Sequence, residues 1–269
     1  MIPPSPPSTL EAELRQALQP GKRGYHTIAH LPGSRVGPSD RHLSLGQAAL
    51  CTERLKDGRD RVVVLEKLDG TCVAAVRLGE QVVAIGRQGH RADRSLFLGR
   101  RHFAAWVQLH HHALRALLAD GERVVGEWLS VAHGTRYALP HEPFVAFDLI
   151  RGERRAGWDE VVRRCTAVQI PTAATLHAGS PCSIEAALER LGPHGLHGAL
   201  DEAEGLIWRV ERHLKGHTRV HTVAKYVRAT HTTGRYLADV TGQDDRINTW
   251  PGSTETLAML NRMAERGVS

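Results

Sequence analysis

Glu66-Lys67-Leu68-Asp69-Gly70-Thr71 closes the apolar run Val62-Val63-Val64-Leu65. A buried strand that ends in a lysine and turns at once through Asp and Gly presents an amine at the edge of a sheet. Loss of water and crowding by other cations would lower the pKa of such a lysine and make it a nucleophile. Lys-x-Asp-Gly is equally an ordinary hairpin turn, and taken alone the string reads that way first.

Four more strings follow in order: Gly126-Glu127-Trp128, Phe144-Val145-Ala146-Phe147-Asp148, Glu204-Gly205-Leu206-Ile207 and Lys225-Tyr226-Val227-Arg228. Arg87, in Gly86-Arg87-Gln88-Gly89, lies between the first string and the second. Singly each has a plain structural reading. Glu127 fits a solvated strand end, Phe147 a core position, Glu204 the opening of a turn, and Arg87 and Arg228 surface charge. Together they hold the parts that attack on a nucleotide's α-phosphorus requires. Those parts are an amine, a slot for the base, carboxylates for a divalent cation, and cations to offset phosphate charge in the transition state. The chain has no G-x-x-x-x-G-K-[ST] loop, so ATP would not be held in the P-loop manner.

These residues need elements to position them. Short apolar runs predict strands over Arg61–Glu66, Thr71–Leu78 and Gln81–Gly86, the last two joined at Gly79-Glu80. Further strands are predicted over Arg123–Leu129, Pro143–Ile150, Gly205–Glu211 and Arg219–Val227, and each string is expected at a strand end. Phe103, Trp106, Val107, Leu114, Leu117 and Leu118 recur at helical spacing and predict one helix over Phe103–Leu118. Other helices are predicted near Thr9, over Trp158–Val168, over Ser183–Leu191 with Ser183 as N-cap, and over Thr254–Arg266. The first 60 residues otherwise show little periodicity. Strands mixed irregularly with helices indicate an α+β fold, with one domain as the default.

Composition narrows the class. The chain has 269 residues, 41% of them hydrophobic, enough for one sizeable core, and no apolar run long enough to span a bilayer. The proline-rich start Met1-Ile2-Pro3-Pro4-Ser5-Pro6-Pro7 does not read as a secretory signal, and none is expected. Cys51, Cys72, Cys165 and Cys182 lie far apart, form no zinc knuckle and read as reduced thiols in a cytoplasmic protein. A formal charge of +6 suits a polyanionic partner such as nucleic acid. His110-His111-His112 would splay around the predicted helix as an exposed triplet rather than share a metal.

In their order, the strings resemble the motifs of the covalent nucleotidyltransferase superfamily, the polynucleotide ligases and mRNA capping enzymes. Tyr25-His26-Thr27-Ile28-Ala29-His30-Leu31-Pro32-Gly33-Ser34 and Lys225-Tyr226-Val227-Arg228-Ala229-Thr230-His231 are similar to segments of ATP-dependent RNA ligases, over about residues 24 to 235. The resemblance implies a nucleotidyltransferase (ATP-grasp-like ligase adenylation) domain of antiparallel sheets flanked by helices. It would cover residues 21–235, after a flexible lead-in over 1–20 and before a short helical segment over 236–269. Only 41 residues follow Arg228, too few for the OB-fold domain that DNA ligases and capping enzymes usually carry.

The same resemblance implies an enzyme that joins 5'-phosphate and 3'-hydroxyl RNA ends in RNA repair, with ATP as substrate and Mg2+ or Mn2+ as cofactor. Lys67 would form the lysyl-N-AMP bond. Glu66 would offer main-chain contacts to adenine and Phe147 would stack on it, while Asp69 and Gly70 would complete the nucleotide site. Arg87 would approach the ribose or a phosphate. Glu127 would hold the ribose or a metal-bound water, Glu204 would serve the metal, and Lys225 would contact the α-phosphate. The family commonly has two lysines one residue apart in the last motif. Here Val223 and Val227 flank Lys225, so the second cation is missing or moved to Arg228. The alternatives are a DNA ligase or capping-type enzyme lacking its OB domain, and an idle nucleic-acid-binding module that keeps the fold.

Overall fold

The structure is a computed structural model, and it describes residues 9–19, 21, 23–38 and 40–266. The proline-rich lead-in at residues 1–7 lies outside the described residues. The chain runs through α1 (Thr9–Ala17), β1 (Ala29–His30), α2 (Leu45–Thr52), β2 (Asp60–Lys67), β3 (Thr71–Leu78) and β4 (Gln81–Gly86). Next come α3 (Leu98–Leu109), α4 (His111–Leu117), β5 (Glu122–Trp128), β6 (Phe144–Arg151), β7 (Arg154–Arg155) and α5 (Trp158–Ala167). The remainder is β8 (Thr175–Gly179), α6 (Ile184–Leu191), β9 (Gly205–Leu214), β10 (His217–Val227), α7 (Ala238–Thr241) and α8 (Ser253–Arg266).

The strands form two sheets, ordered β1-β10-β9-β2-β8 and β4-β3-β5-β6-β7. Their strands pair antiparallel except for β1, which lies parallel to β10. The fold is α+β, as expected. Strand β2 reads as an unbroken apolar run because both its faces are buried. Val63 and Leu65 join Val73, Ala75, Phe103, Trp106 and Val161 in the largest core cluster. Val62 and Val64 point the other way, against Cys51 of α2 and Leu191 of α6. Ala74 and Val76 on the outer face of β3 pack with Leu14 of α1. The β3–β4 hairpin turns at Gly79-Glu80, with Leu78 opposite Gln81, as the sequence predicts.

Four expectations need correction. The single helix over Phe103–Leu118 is two, broken at His110, which ends α3 and opens α4. The His110 ring stacks on Trp106 at 4.2 Å, its Nδ1 lies 3.0 Å from the Trp106 carbonyl, and its Nε2 lies 2.9 Å from Glu142. The break lies in the backbone: His110 has φ −98° and ψ 17°, outside the helical region, although its own N–H still donates to the Trp106 carbonyl at 3.0 Å. The histidine triplet is therefore not uniformly exposed, since His111 also reaches the Glu80 carbonyl at 3.0 Å. Residues 1–60, read as showing little periodicity beyond a helix near Thr9, also hold β1 and α2. Ser44 and Gln47 form a reciprocal capping box that starts α2, a Ser-x-x-Gln signal that was readable. Lastly, β9 and β10 extend to Leu214 and from His217, beyond the predicted limits.

Candidate active site between the two sheets

A cavity of about 440 Å³ opens between the sheets, with walls from β2, β3, β5, β6, β9 and β10. Of the residues singled out in the sequence, Glu66, Lys67, Asp69, Gly70, Arg87, Glu127, Phe147 and Lys225 line it. Glu204 reaches it through its contact with Lys67.

Register explains this meeting. Antiparallel pairing places Lys67 opposite Gly205, so the last residue of β2 lies beside the first of β9. The Lys67 ammonium then donates to Glu204 Oε2 at 2.5 Å. Gly70 passes so close to β5 that a Cβ there would fall 2.7 Å from the Trp128 carbonyl. That approach lets Gly70 N–H donate to Glu127 Oε1 at 3.2 Å. Asp69 is fixed at both ends: its N–H donates to the Tyr137 hydroxyl at 3.1 Å, and its Oδ2 accepts from Gly134 N at 2.6 Å.

Three buried or half-buried carboxylates, Asp69, Glu127 and Glu204, thus face one lysine. Burial pulls the Lys67 amine down, but the charges of Glu204 and Glu127 outweigh it and hold its pKa above the ordinary lysine value. This reverses the expected lowering, because carboxylates rather than cations crowd the amine. Burial pushes Glu127 up to about 8 and raises Glu204 and Asp69 as well. The lowering falls on Lys225 instead, through burial and then the charge of Lys67. Lys225 is also tethered, its Nζ lying 3.4 Å from Asp40 Oδ1.

Phe147 sits within β6 rather than at its end, with the Tyr25 ring edge-on at 5.2 Å. Beneath it Arg209, 1% exposed, lies between Asp148 at 3.3 Å and Glu211 at 3.1 Å and joins the two sheets. Glu66 is buried, accepts from Leu196 N at 2.8 Å, and is pushed up by burial to about 7. Arg87 is exposed and donates to Thr27 Oγ1 at 2.9 Å.

Arg228 does not join the group. Its Nη2 donates to the Gly192 carbonyl at 2.7 Å and its Nη1 lies 3.4 Å from Glu202, so it supplies no second cation beside Lys225. Val223, on the same face of β10 as Lys225, lines the cavity in its place. The carboxylate grouping also differs from expectation. Glu204 clusters with Asp69 and His231, whereas Glu127 is engaged by Gly70. Sequence reasoning gave no individual role to Tyr25, Arg209 or His231. For Arg209 a signal existed: an arginine inside the apolar stretch Leu206-Ile207-Trp208-Arg209-Val210 is out of place unless paired.

The RNA ligase family model matches residues 60–227, a span that holds the lysine, both glutamates and Lys225. The chain belongs to the RNA ligase family. Solved structures with the same fold include three of Naegleria gruberi RNA ligase mutants. An apo mutant is 14% identical with a TM-score of 0.52, covering 77% of this chain and 56% of its own. A mutant with ATP and Mn is 14% identical with a TM-score of 0.52, covering 78% and 57%. One with AMP and Mn is 13% identical with a TM-score of 0.52, covering 84% and 60%. This RNA ligase family member therefore spans a little over half the length of the first of those chains. No curated protein matches the sequence.

Proposed function

We propose that the chain is an ATP-dependent RNA ligase that joins 5'-phosphate and 3'-hydroxyl RNA ends through a lysyl-N-AMP intermediate on Lys67. The observation that carries this reading is Lys67 at the mouth of β2, facing Asp69, Glu127 and Glu204 in a cavity that also holds Lys225 and Phe147. The matched solved structures that hold ATP or AMP with Mn add support for the ligand class. The catalytic unit on this reading is residues 21–235, with the helical segment after it packed back through α8 against α3, where His102 Nε2 lies 2.7 Å from Asn261 Oδ1.

The residues fit a divalent cation: three carboxylates around one ammonium leave excess negative charge in a buried site. Asp69 and Glu204 would hold Mg2+ or Mn2+, with Glu127 close by, and the ion would offset charge on the ATP phosphates and on Glu204. Phe147, backed by Tyr25, offers a face for adenine, and the Glu66 main chain offers its edge. Arg87 and Lys225 supply positive charge to ribose and phosphates.

In the first step the Lys67 amine, having passed its proton to Glu204 or to solvent, attacks the α-phosphorus. The N–P bond forms, the bond to the β-phosphate breaks, and pyrophosphate leaves. In the second step a 5'-phosphate oxygen takes the AMP and the N–P bond breaks. In the third a 3'-hydroxyl displaces AMP and the strand is sealed. RNA repair in the cytoplasm suits this reading, since all four cysteines are free thiols and no described helix is long and apolar enough to cross a membrane.

The test is incubation with α-labelled ATP or GTP and Mg2+ or Mn2+, followed by denaturing electrophoresis. Label from ATP alone supports the ligase. Label from GTP points to a capping-type enzyme, and none from either to an idle binding module.

A further inference from the structure

His231 follows β10 in a tight turn, its N–H donating to the Arg228 carbonyl at 3.2 Å. The side chain is 5% exposed and points into the protein, where its Nε2 has no hydrogen-bond partner. A buried imidazole nitrogen without a partner is costly, and such an atom calls for an explanation. Asp69 Oδ2 lies 3.5 Å away, too far for a good hydrogen bond. The ligand atoms of Asp69, Glu204 and His231 all fall within 4.8 Å of one another, and all three residues are buried.

Gly134 packs tightly against this group and against the Thr232 carbonyl. A Cβ there would sit 2.7 Å from His231 Cε1 and 2.8 Å from Asp69 Oδ2. The same glycine's N–H takes one lone pair of Asp69 Oδ2 at 2.6 Å, which orients the carboxylate. Two oxygens and one nitrogen therefore gather within 4.8 Å of one another, the nitrogen without a hydrogen-bond partner.

We propose that His231 gives a nitrogen ligand directly to the divalent cation held by Asp69 and Glu204, and that this makes the site prefer Mn2+ to Mg2+. The proposal rests on the cation role given above to those two carboxylates. Mg2+ keeps its waters and takes oxygen ligands, whereas imidazole suits the later first-row metals. A site built of carboxylates alone would accept Mg2+ readily. Exchanging one oxygen for a neutral nitrogen shifts the balance toward Mn2+, Co2+ and Zn2+.

The experiment uses the full chain without nucleotide. Mn2+ is titrated and its free signal followed by electron paramagnetic resonance, alone and in competition with Mg2+, for the wild type, His231→Asn and His231→Ala. The wild type should bind Mn2+ about tenfold or more tightly than Mg2+. Either variant should lose about tenfold in Mn2+ affinity while Mg2+ affinity changes less than about twofold. Equal Mn2+ affinity in wild type and variants overturns the proposal. A parallel loss for both ions also overturns it and makes His231 a positioning residue for Asp69. Should both variants fail to fold, pulsed resonance on wild-type-bound Mn2+ still decides, since a directly bound imidazole imprints 14N modulation and its absence sinks the assignment. None of these readings depends on adenylylation. A failed ligase reading shows as absent label on Lys67 and leaves the Mn2+ titration as it is.

Discussion

Lys67 and Glu204 form an ion pair of 2.5 Å across 137 residues of sequence, because β2 and β9 pair with Lys67 opposite Gly205. Without a cation in the site, the amine is held protonated by its carboxylates. Lys67→Arg preserves that pairing but cannot practically lose its proton. It should fold as stably as the wild type and take no label from α-labelled ATP, and Lys67→Ala should take none either. Label on either variant would move the nucleophile elsewhere, with Lys225 the first lysine to test.

Glu204→Ala breaks a mostly buried pair at the edge of a cavity. Since the Lys67 side chain keeps 21% of its exposure, the cost should be about 1–3 kcal/mol rather than the full penalty of a deep charge. Urea unfolding should show an intact fold, and adenylylation should be crippled at every Mg2+ concentration. Unchanged labelling at some Mg2+ concentration, or an unfolded variant, would remove the metal role from Glu204.

Lys225 and Arg228 should separate cleanly. Lys225→Ala removes a cation that faces the cavity and should cut adenylylation by about tenfold or more, as loss of a charge-stabilising donor does. Arg228→Ala removes contacts to the Gly192 carbonyl and Glu202. Its labelling should stay near wild type while its melting temperature falls. If Arg228→Ala is the more damaging to labelling, the side chain must swing into the cavity during the reaction.

Glu66 predicts a pH effect on stability. Burial raises its pKa from 4.5 to about 7, so as pH climbs through that window the unfolded chain gives up a proton that the folded chain keeps. The stability contributed below pH 4.5 is therefore lost toward pH 7, by up to about 3 kcal/mol. Glu66→Gln has no such proton. Denaturation between pH 4.5 and pH 8 should show the variant gaining on the wild type as pH rises, and a constant difference would mean Glu66 titrates normally.

Sealing should depend on salt more than adenylylation does. On the proposed function, a chain of net charge +6 would gather RNA through phosphate contacts, which weaken steeply with salt, whereas ATP would be held within the cavity. Sealing should also favour a ribose at the 3'-hydroxyl end, because the 2'-hydroxyl marks RNA. Matched nicked and single-stranded substrates differing only in that sugar give the measure. Equal rates on all-DNA ends would favour the DNA-ligase alternative.

Much of this site was legible in the sequence because strand ends are where a turn brings side chains to a sheet edge. Lys67, Asp69, Glu127, Glu204 and Lys225 all lie at such ends or just beyond them. What a string does not carry is who faces whom. The direction of the Lys67 shift depends on carboxylates from β5 and from the residue just before β9, and Arg228 turns away because the chain has already left β10 there. The break at His110 was hidden by apolar spacing that continues through it. His231 was visible only as the last letter of a motif-like string, since its burial beside Asp69 depends on the turn that follows β10.

The order of strands in the two sheets carries a consequence for how the protein comes to be active. The sheet β4-β3-β5-β6-β7 is drawn from one continuous stretch, residues 71–155, whereas β1-β10-β9-β2-β8 gathers strands from residue 29 to residue 227. Nearby pairings close short loops and form early, while distant ones wait for long loops to close. During refolding the wall carrying Glu127 and Phe147 should therefore assemble before Glu204 and Lys225 arrive. Lys67 gains its counter-ion only when β9 docks on β2, so the proposed competence to take up AMP should be the last property the refolding chain acquires.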